Sequence, residues 1–154
     1  MSQIVETVDV DVPVRVAYDQ WTQFEEFPLF MEGVESVKQM DDTHIAWSAD
    51  ISGVKKQWNA EITEQKPDER VAWQAVEGAE NAGVVTFHRL SDDKTRVTLQ
   101  LDVDPEGAVE NVGDALGFVS RRAKGDMQRF KEFIEARGTE TGAWRGTVSS
   151  ASNR

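Results

Sequence analysis

Cysteine is absent from the 154 residues, histidine occurs twice and tyrosine once. Without thiols there is neither a disulfide nor a thiolate metal site, and a reducing cytoplasm suits the chain. His44 opens a strand after a turn and His88 falls on an outward face by alternation. Neither has a second ligand at a metal-like spacing, so both read as surface residues and no metal is expected. Serines stand at turns, in the last helix and in the tail with no base alongside, which leaves no nucleophilic triad. No G-x-x-x-x-G-K or G-x-G-x-x-G loop occurs, and no cofactor is implied. Long apolar runs are missing too: nothing approaches the roughly 18 residues of a membrane span, so no integral membrane association is expected. The opening "MSQIVETVDVDVP" alternates where a signal peptide needs a continuous apolar stretch, which again suggests a cytoplasmic chain. Positive charge is scarce, with 17 Lys and Arg against 28 Asp and Glu and a net charge of −11. Such a surface repels a nucleic-acid backbone or an anionic membrane. No pattern specifies an oligomeric state.

What is present is globular. Hydrophobic residues make up 39% and charged residues 29%, which fits one folded domain of this length. Residues 3–12 place Ile4, Val8, Val10 and Val12 on one face of a strand, with Glu6 the exception on that dry face. Pro13 then suits the start of a helix over 14–22, whose stripe is Val16, Ala17, Trp21 and Phe24. Pro28 marks the start of a second short helical piece.

From Val34 the period becomes two. Turn residues at Asp41-Asp42, Ser52-Gly53, Pro67-Asp68 and Ser91–Asp93 separate strands near 34–40, 43–51, 55–66, 69–77, 83–90 and 94–103. One face carries Ile45, Trp47, Ala49, Ile51, Trp58, Ala60, Ile62, Val71, Trp73, Ala75, Val85, Phe87, Val97, Leu99 and Leu101. The short connections predict an antiparallel meander. The period then changes to 3.6: Val109, Val112, Leu116, Val119, Ala123, Met127, Phe130 and Ile134 line one side of a long helix. Acids cluster at its start and bases towards its end, as the helix dipole favours. Gly138 ends it, and residues 138–154 read as a mobile polar tail in which Trp144 and Arg145 stand out. The expectation is an α+β domain over 1–137: a curved antiparallel sheet of about seven strands wrapped around the last helix, with two short helices after the first strand.

Three stretches carry a family resemblance: "VPVRVAYDQWTQFEEFPLFMEGVESV", "KQWNAEITEQKPDERVAWQAVEGAENAGVVTF" and "DPEGAVENVGDALGFVSRRAKGDMQRFKEFIE". Together they resemble the START-like, or SRPBCC, superfamily in its polyketide cyclase/dehydrase branch. The resemblance implies a helix-grip fold, as in START and Bet-v-like proteins, with a cavity between sheet and C-terminal helix for a hydrophobic ligand. Polycyclic, polyketide-like, quinone-like and lipid molecules are the implied partners, and a fold alone does not choose among them. Aromatic polyketide cyclases resemble this chain but carry polar Tyr, Ser and Arg side chains in the pocket. The matching positions here are Gly33, Ala60 and Ile62, none of which moves a proton.

Within that frame the lining expected from the sequence is Phe27, Phe30, Met31, Trp47, Trp58, Ala60, Trp73, Phe87, Gly113, Leu116, Gly117 and Ser120. Gly113 and Gly117 each cost about 1 kcal/mol against Ala in a helix interior, so something needs space beside them. Either a bulky sheet residue such as Trp47 or Trp73 approaches there, or a ligand does. Glu32, after the aromatic cluster, and Asp50, near a strand end, are the candidate proton acceptors if the chain is a cyclase-type enzyme. Glu77, Glu80 and Asn81 sit in a Gly-flanked connection that is either a simple hairpin or part of a pocket mouth. A further alternative is a protein-interaction module that docks through the aromatic segment or the tail.

Overall fold

The computed structural model describes residues 2–51, 53–77, 81–103 and 112–149. Strand β1 (Ser2–Val10) leads into helix α1 (Val14–Trp21) and a 3-10 helix (Phe24–Leu29). Strands β2 (Val34–Gln39), β3 (His44–Ile51), β4 (Val54–Lys66), β5 (Arg70–Glu77), β6 (Asn81–Ser91) and β7 (Lys94–Val103) follow, then helix α2 (Val112–Arg137) and a two-residue strand β8 (Val148–Ser149). The sheet runs β1-β7-β6-β5-β4-β3-β2 and its pairings are antiparallel, as the short turns require. The fold is the expected α+β helix grip, a curled sheet with its concave face towards the C-terminal helix. Among the described residues no helix is long and apolar enough to cross a membrane.

Register turns the alternating sequence into rows across the concave face. Glu6 pairs with Leu99, Leu99 with Val85 and Val85 with Val71. One row nearer the start of β1, Ile4 pairs with Leu101, Leu101 with Gly83 and Gly83 with Trp73. The neighbouring strands add Trp47 opposite Trp58 and Ile45 opposite Ala60. Because α1 follows the end of β1, these rows give the grip two distinct ends.

At the α1 end the core is closed. Val10, Tyr18, Val97 and Phe130 are fully buried. Ala123, Met127, Phe130 and Ile134 of α2 are buried at the spacing read from the sequence; Val109 lies outside the described residues. Phe130 meets Trp21 at 5.1 Å and Phe30 at 5.3 Å between ring centroids, so α2 docks on the aromatics that follow β1. The helix also lies along the unpaired edge of β1, where Lys131 Nζ donates to the Asp9 carbonyl at 3.0 Å and Glu135 accepts from Asp11 N at 2.7 Å. These contacts satisfy backbone groups that an edge strand leaves open.

The second short helix begins earlier than expected. Pro28 lies inside the 3-10 helix rather than at its start, and the segment opens at Phe24. Tight turns there need few backbone donors, so a proline near the end is tolerated. Phe24, Phe27 and Phe30 all point inwards, while Leu29 is 62% exposed.

The described part of the tail makes specific contacts with the domain. Thr141, Trp144 and Arg145 contact α1 and the residue that caps it, and β8 pairs with Glu64 and Gln65 of β4, just past the end of the β3 ladder at Glu61. Gln20 Oε1 accepts from Thr141 N at 2.8 Å and Thr22 Oγ1 from Trp144 N at 3.1 Å. Arg145 bonds Asp19 at 2.5 Å and Asp68 at 2.8 Å. Composition hides such docking, because Thr141 and Arg145 meet polar groups, Gln20 and Asp19, that α1 has buried.

Candidate functional site

The concave face changes character away from α1. Trp47 stacks on Trp58 with ring centroids 5.6 Å apart and planes 7° from parallel, and Phe27 sits 5.7 Å from Trp47. The pair forms because the β3–β4 register sets the two indoles directly opposite each other. Trp73 lies across Gly83 on the neighbouring strand. A Cβ at Gly83 would stand 2.5 Å from Trp73 Cζ2 and 3.0 Å from the Gln100 carbonyl, so only glycine lets the indole lie flat there. Ala60, fully buried, keeps the floor low between the two indole groups.

These three tryptophans are inward-facing yet only half-buried, in contrast with the sealed core around Phe130. The Trp47 indole N–H is itself buried and has no acceptor among the described residues. A donor left in that state costs about 1–3 kcal/mol.

Among the described residues, one polar pair joins α2 to the concave face. Ser120 Oγ of α2 donates to Glu6 Oε2 at 3.2 Å, joining the helix to the inward side of β1. The sequence shows Glu6 as the odd member of an apolar row, and that exception is the signal that marks it.

The other predicted residues fall in separate places. Phe30 is buried in the aromatic chain with Trp21 and Phe130, and Met31 packs half-buried beside it. Phe87 is buried against the Tyr18 ring at 5.5 Å, which places it at the closed end, under α1. Gly113, Leu116 and Gly117 belong to the first turns of α2, and their surroundings lie outside the described residues. Glu77 ends β5 and Asn81 begins β6; Glu80 lies outside the described residues.

The two candidate proton acceptors have structural partners. Glu32 is an exposed carboxylate 3.7 Å from both Arg122 and Arg129. Its backbone is clasped as well: Glu32 N donates to Asp126 at 3.0 Å and its carbonyl accepts from Arg122 at 2.7 Å. Burial pushes the Asp126 carboxyl above its ordinary range, against the opposing pull of Arg129. Asp50 Oδ1 accepts from Gly53 N at 2.8 Å and so shapes the β3–β4 turn. Gly33, with φ +87° and the Asp50 carbonyl 2.8 Å from where a Cβ would stand, lets the loop pass beneath α2. The clasp of Arg122, Asp126 and Arg129 had no motif to reveal it, since these are ordinary charges on a helix.

His88 is exposed, and His44 Nδ1 lies 2.9 Å from Asp41 Oδ1 at the β2–β3 turn. Near that turn a surface cleft of about 570 Å³ opens between the residues after α1, the β2–β3 turn and the tail. Glu25, Glu26, Asp41 and Asp42 line it with Trp144. It is acidic and lies at the α1 end, away from the stacked indoles.

Known proteins share this fold. The sequence model of the family described as polyketide cyclase / dehydrase and lipid transport matches residues 10–132. A Streptomyces lincolnensis protein, described as an uncharacterized 17.2 kDa protein in the melC2-rnhH intergenic region, is 60% identical over 149 residues, covering 96% of this chain and 99% of that protein. The Zhui aromatase/cyclase of Streptomyces sp. R1128 superimposes with a TM-score of 0.74 at 15% identity, over 93% of this chain and 99% of that one. A START superfamily protein from Mycobacterium smegmatis gives a TM-score of 0.64 at 13% identity, over 82% and 97% of the two chains. At such identities the solved structures speak for the fold, and the family match speaks for descent. The chain belongs to the polyketide cyclase/dehydrase and lipid-transport family.

Proposed function

We propose that the protein binds a flat, hydrophobic small molecule of polycyclic or quinone type on the concave face beneath α2. The observation that carries this reading is the set of half-exposed inward indoles, Trp47, Trp58 and Trp73, on a face whose other end is sealed. Large aromatic walls favour flat ligands through stacking and area burial. The buried Trp47 N–H favours a ligand with a carbonyl oxygen to accept from it. Binding is preferred to turnover because Ala60 and Ile62 are apolar and buried, and Gly33 carries no side chain. Glu32 and Asp50, already committed to the clasp and the turn, do not replace the missing proton-moving groups. A cytoplasmic setting fits the cysteine-free composition.

Titration with anthraquinone tests the reading. Tryptophan emission is expected to fall saturably, with weaker binding in Trp58→Leu and Trp73→Leu. Unsaturable quenching that is the same in both variants would remove the site from the indole face.

A further inference from the structure

Glu6 is a carboxylate placed where the fold has little use for one. Half-buried itself, it occupies an inward position on β1 between Ile4, which is 8% exposed, and half-buried Val8, and pairs across the ladder with buried Leu99. The row it belongs to continues into Val85 and Val71, both buried and apolar. A valine or isoleucine at this position would extend the core without any cost of desolvating a charge. Ser120 supplies one hydrogen bond at 3.2 Å, whereas an ionised carboxylate has about four acceptor positions.

We infer that Glu6, with Ser120 beside it, is the polar end of the binding site and accepts a hydrogen bond from a hydroxyl group of the ligand. This rests on the reading of the indole face as the ligand site. The two unspent polar groups of the concave face then have complementary tastes: Trp47 N–H seeks an acceptor and Glu6 seeks a donor. A flat aromatic bearing both a carbonyl and a hydroxyl, such as a hydroxylated quinone or aryl ketone, satisfies both. An unsubstituted polycycle or a saturated acyl chain satisfies neither. Hydrogen bonds to charged acceptors discriminate more strongly than neutral ones, so Glu6 is a specificity-determining residue rather than a general contact.

The test compares 2-hydroxyanthraquinone with 2-methoxyanthraquinone, in which a methyl group replaces the donor hydrogen, at mildly acidic pH so that the phenol stays neutral; Glu6→Leu controls for the added volume. Wild-type protein is expected to bind the hydroxy compound about tenfold to a hundredfold more tightly, the range of a charge-assisted hydrogen bond. In Glu6→Leu the preference is expected to vanish while the methoxy compound binds as before or better. Glu6→Gln keeps the shape and the Ser120 contact, and in it the preference is expected to shrink several-fold. Equal wild-type affinities would overturn the assignment and leave the indole site standing. Equal weakening of both compounds in Glu6→Gln would also overturn it, because Glu6 would then be holding α2 in place. Failure of both compounds to bind wild-type protein would overturn the ligand site itself and this inference with it.

Discussion

At the α1 end of the grip, Asp19, Gln20 and Thr22 are buried, and each is met by the tail through Arg145, Thr141 and Trp144. At the other end, Trp47, Trp58 and Trp73 face inwards half-buried, and the Trp47 donor has no acceptor among the described residues. One end buries polar groups and meets three of them from its own tail, while Tyr18 Oη and both Gln65 side-chain polar atoms there have no hydrogen-bond partner among the described residues. The other leaves large aromatic surface half-exposed on its inward face. A closed end needs its partners built in, whereas a binding end must leave partners to be supplied. The contrast separates groups that hold the fold from groups available to a ligand, and variants at the two ends should behave differently.

The largest effect is expected at the closed end. The Asp19 side chain is fully buried, and burial pushes its carboxyl above the ordinary range while the Arg145 hydrogen bond opposes that rise. Arg15, 3.6 Å away, is a weaker and mostly exposed partner. Arg145→Ala strands the carboxylate and should cost about 3 kcal/mol at neutral pH. For a domain of this size that lowers Tm by about 6–12 °C. The folded state holds the Asp19 proton more tightly than the unfolded state, so Asp19's contribution to stability falls as pH rises from the ordinary carboxylate value through the raised one. Losing Arg145 raises that folded value further and deepens the fall. The deficit of Arg145→Ala should therefore be smaller near about pH 4.5 than at neutral pH, by urea unfolding at both. A deficit independent of pH would mean that Arg145 acts through its contacts with Asp68 and the Tyr18 ring alone.

A smaller loss is expected at the binding end. Gly83→Ala sets a Cβ 2.5 Å from Trp73 and 3.0 Å from the Gln100 carbonyl, and the indole is the more movable of the two. Overpacking of this kind costs about 2 kcal/mol, or about 4–8 °C in Tm. The signature that distinguishes it is spectroscopic: the near-ultraviolet circular dichroism of the tryptophans should change, since Trp73 must leave its place. Arg145→Ala should leave that spectrum nearly unaltered. If Gly83→Ala is silent in both measurements, Trp73 is already loose and the two ends differ less than their geometry indicates.

The same division explains what could be read from the sequence. Period-two runs with short turns specify antiparallel register, so Trp47, Trp58, Ala60 and Trp73 were correctly assigned to one face. The 3.6 period placed Ala123, Met127, Phe130 and Ile134 in the core. Both are patterns of apolar side chains, and burial acts on them locally. Phe87 faces inwards as alternation requires, but which end of the sheet α1 covers depends on how the chain turns after Val10, and no period encodes that. Asp19, Gln20 and Thr22 look like ordinary exposed helix residues until Thr141–Arg145 returns more than a hundred positions later. Polar contacts at such separation leave no periodic trace. Trp144 and Arg145 were visible as oddities in a polar tail, and Glu6 as an oddity in an apolar row. Their partners were not.

The smallest effect belongs to an exposed charge on the rim of the acidic cleft. Asp41, at the β2–β3 turn, accepts from Thr43 N at 2.9 Å and lies 2.9 Å from His44 Nδ1. The Thr43 backbone hydrogen bond, followed by the His44 contact, lowers its carboxyl from 3.8 to about 2. A lowered folded value contributes stability that is present above the ordinary carboxylate range and is lost as pH falls from 3.8 towards about 2. The carboxyl is exposed, so solvent keeps that contribution small. Carboxyl-detected NMR should find Asp41 titrating near about 2, and Tm between those two pH values should fall slightly more steeply in wild-type protein than in Asp41→Asn. Asn can retain the turn hydrogen bond, so the two proteins should melt alike at neutral pH. An Asp41 that titrates at the ordinary value would show that the turn is frayed in solution. One wall of the acidic cleft would then be mobile, while the closed end behind it stays held by Asp19 and Arg145.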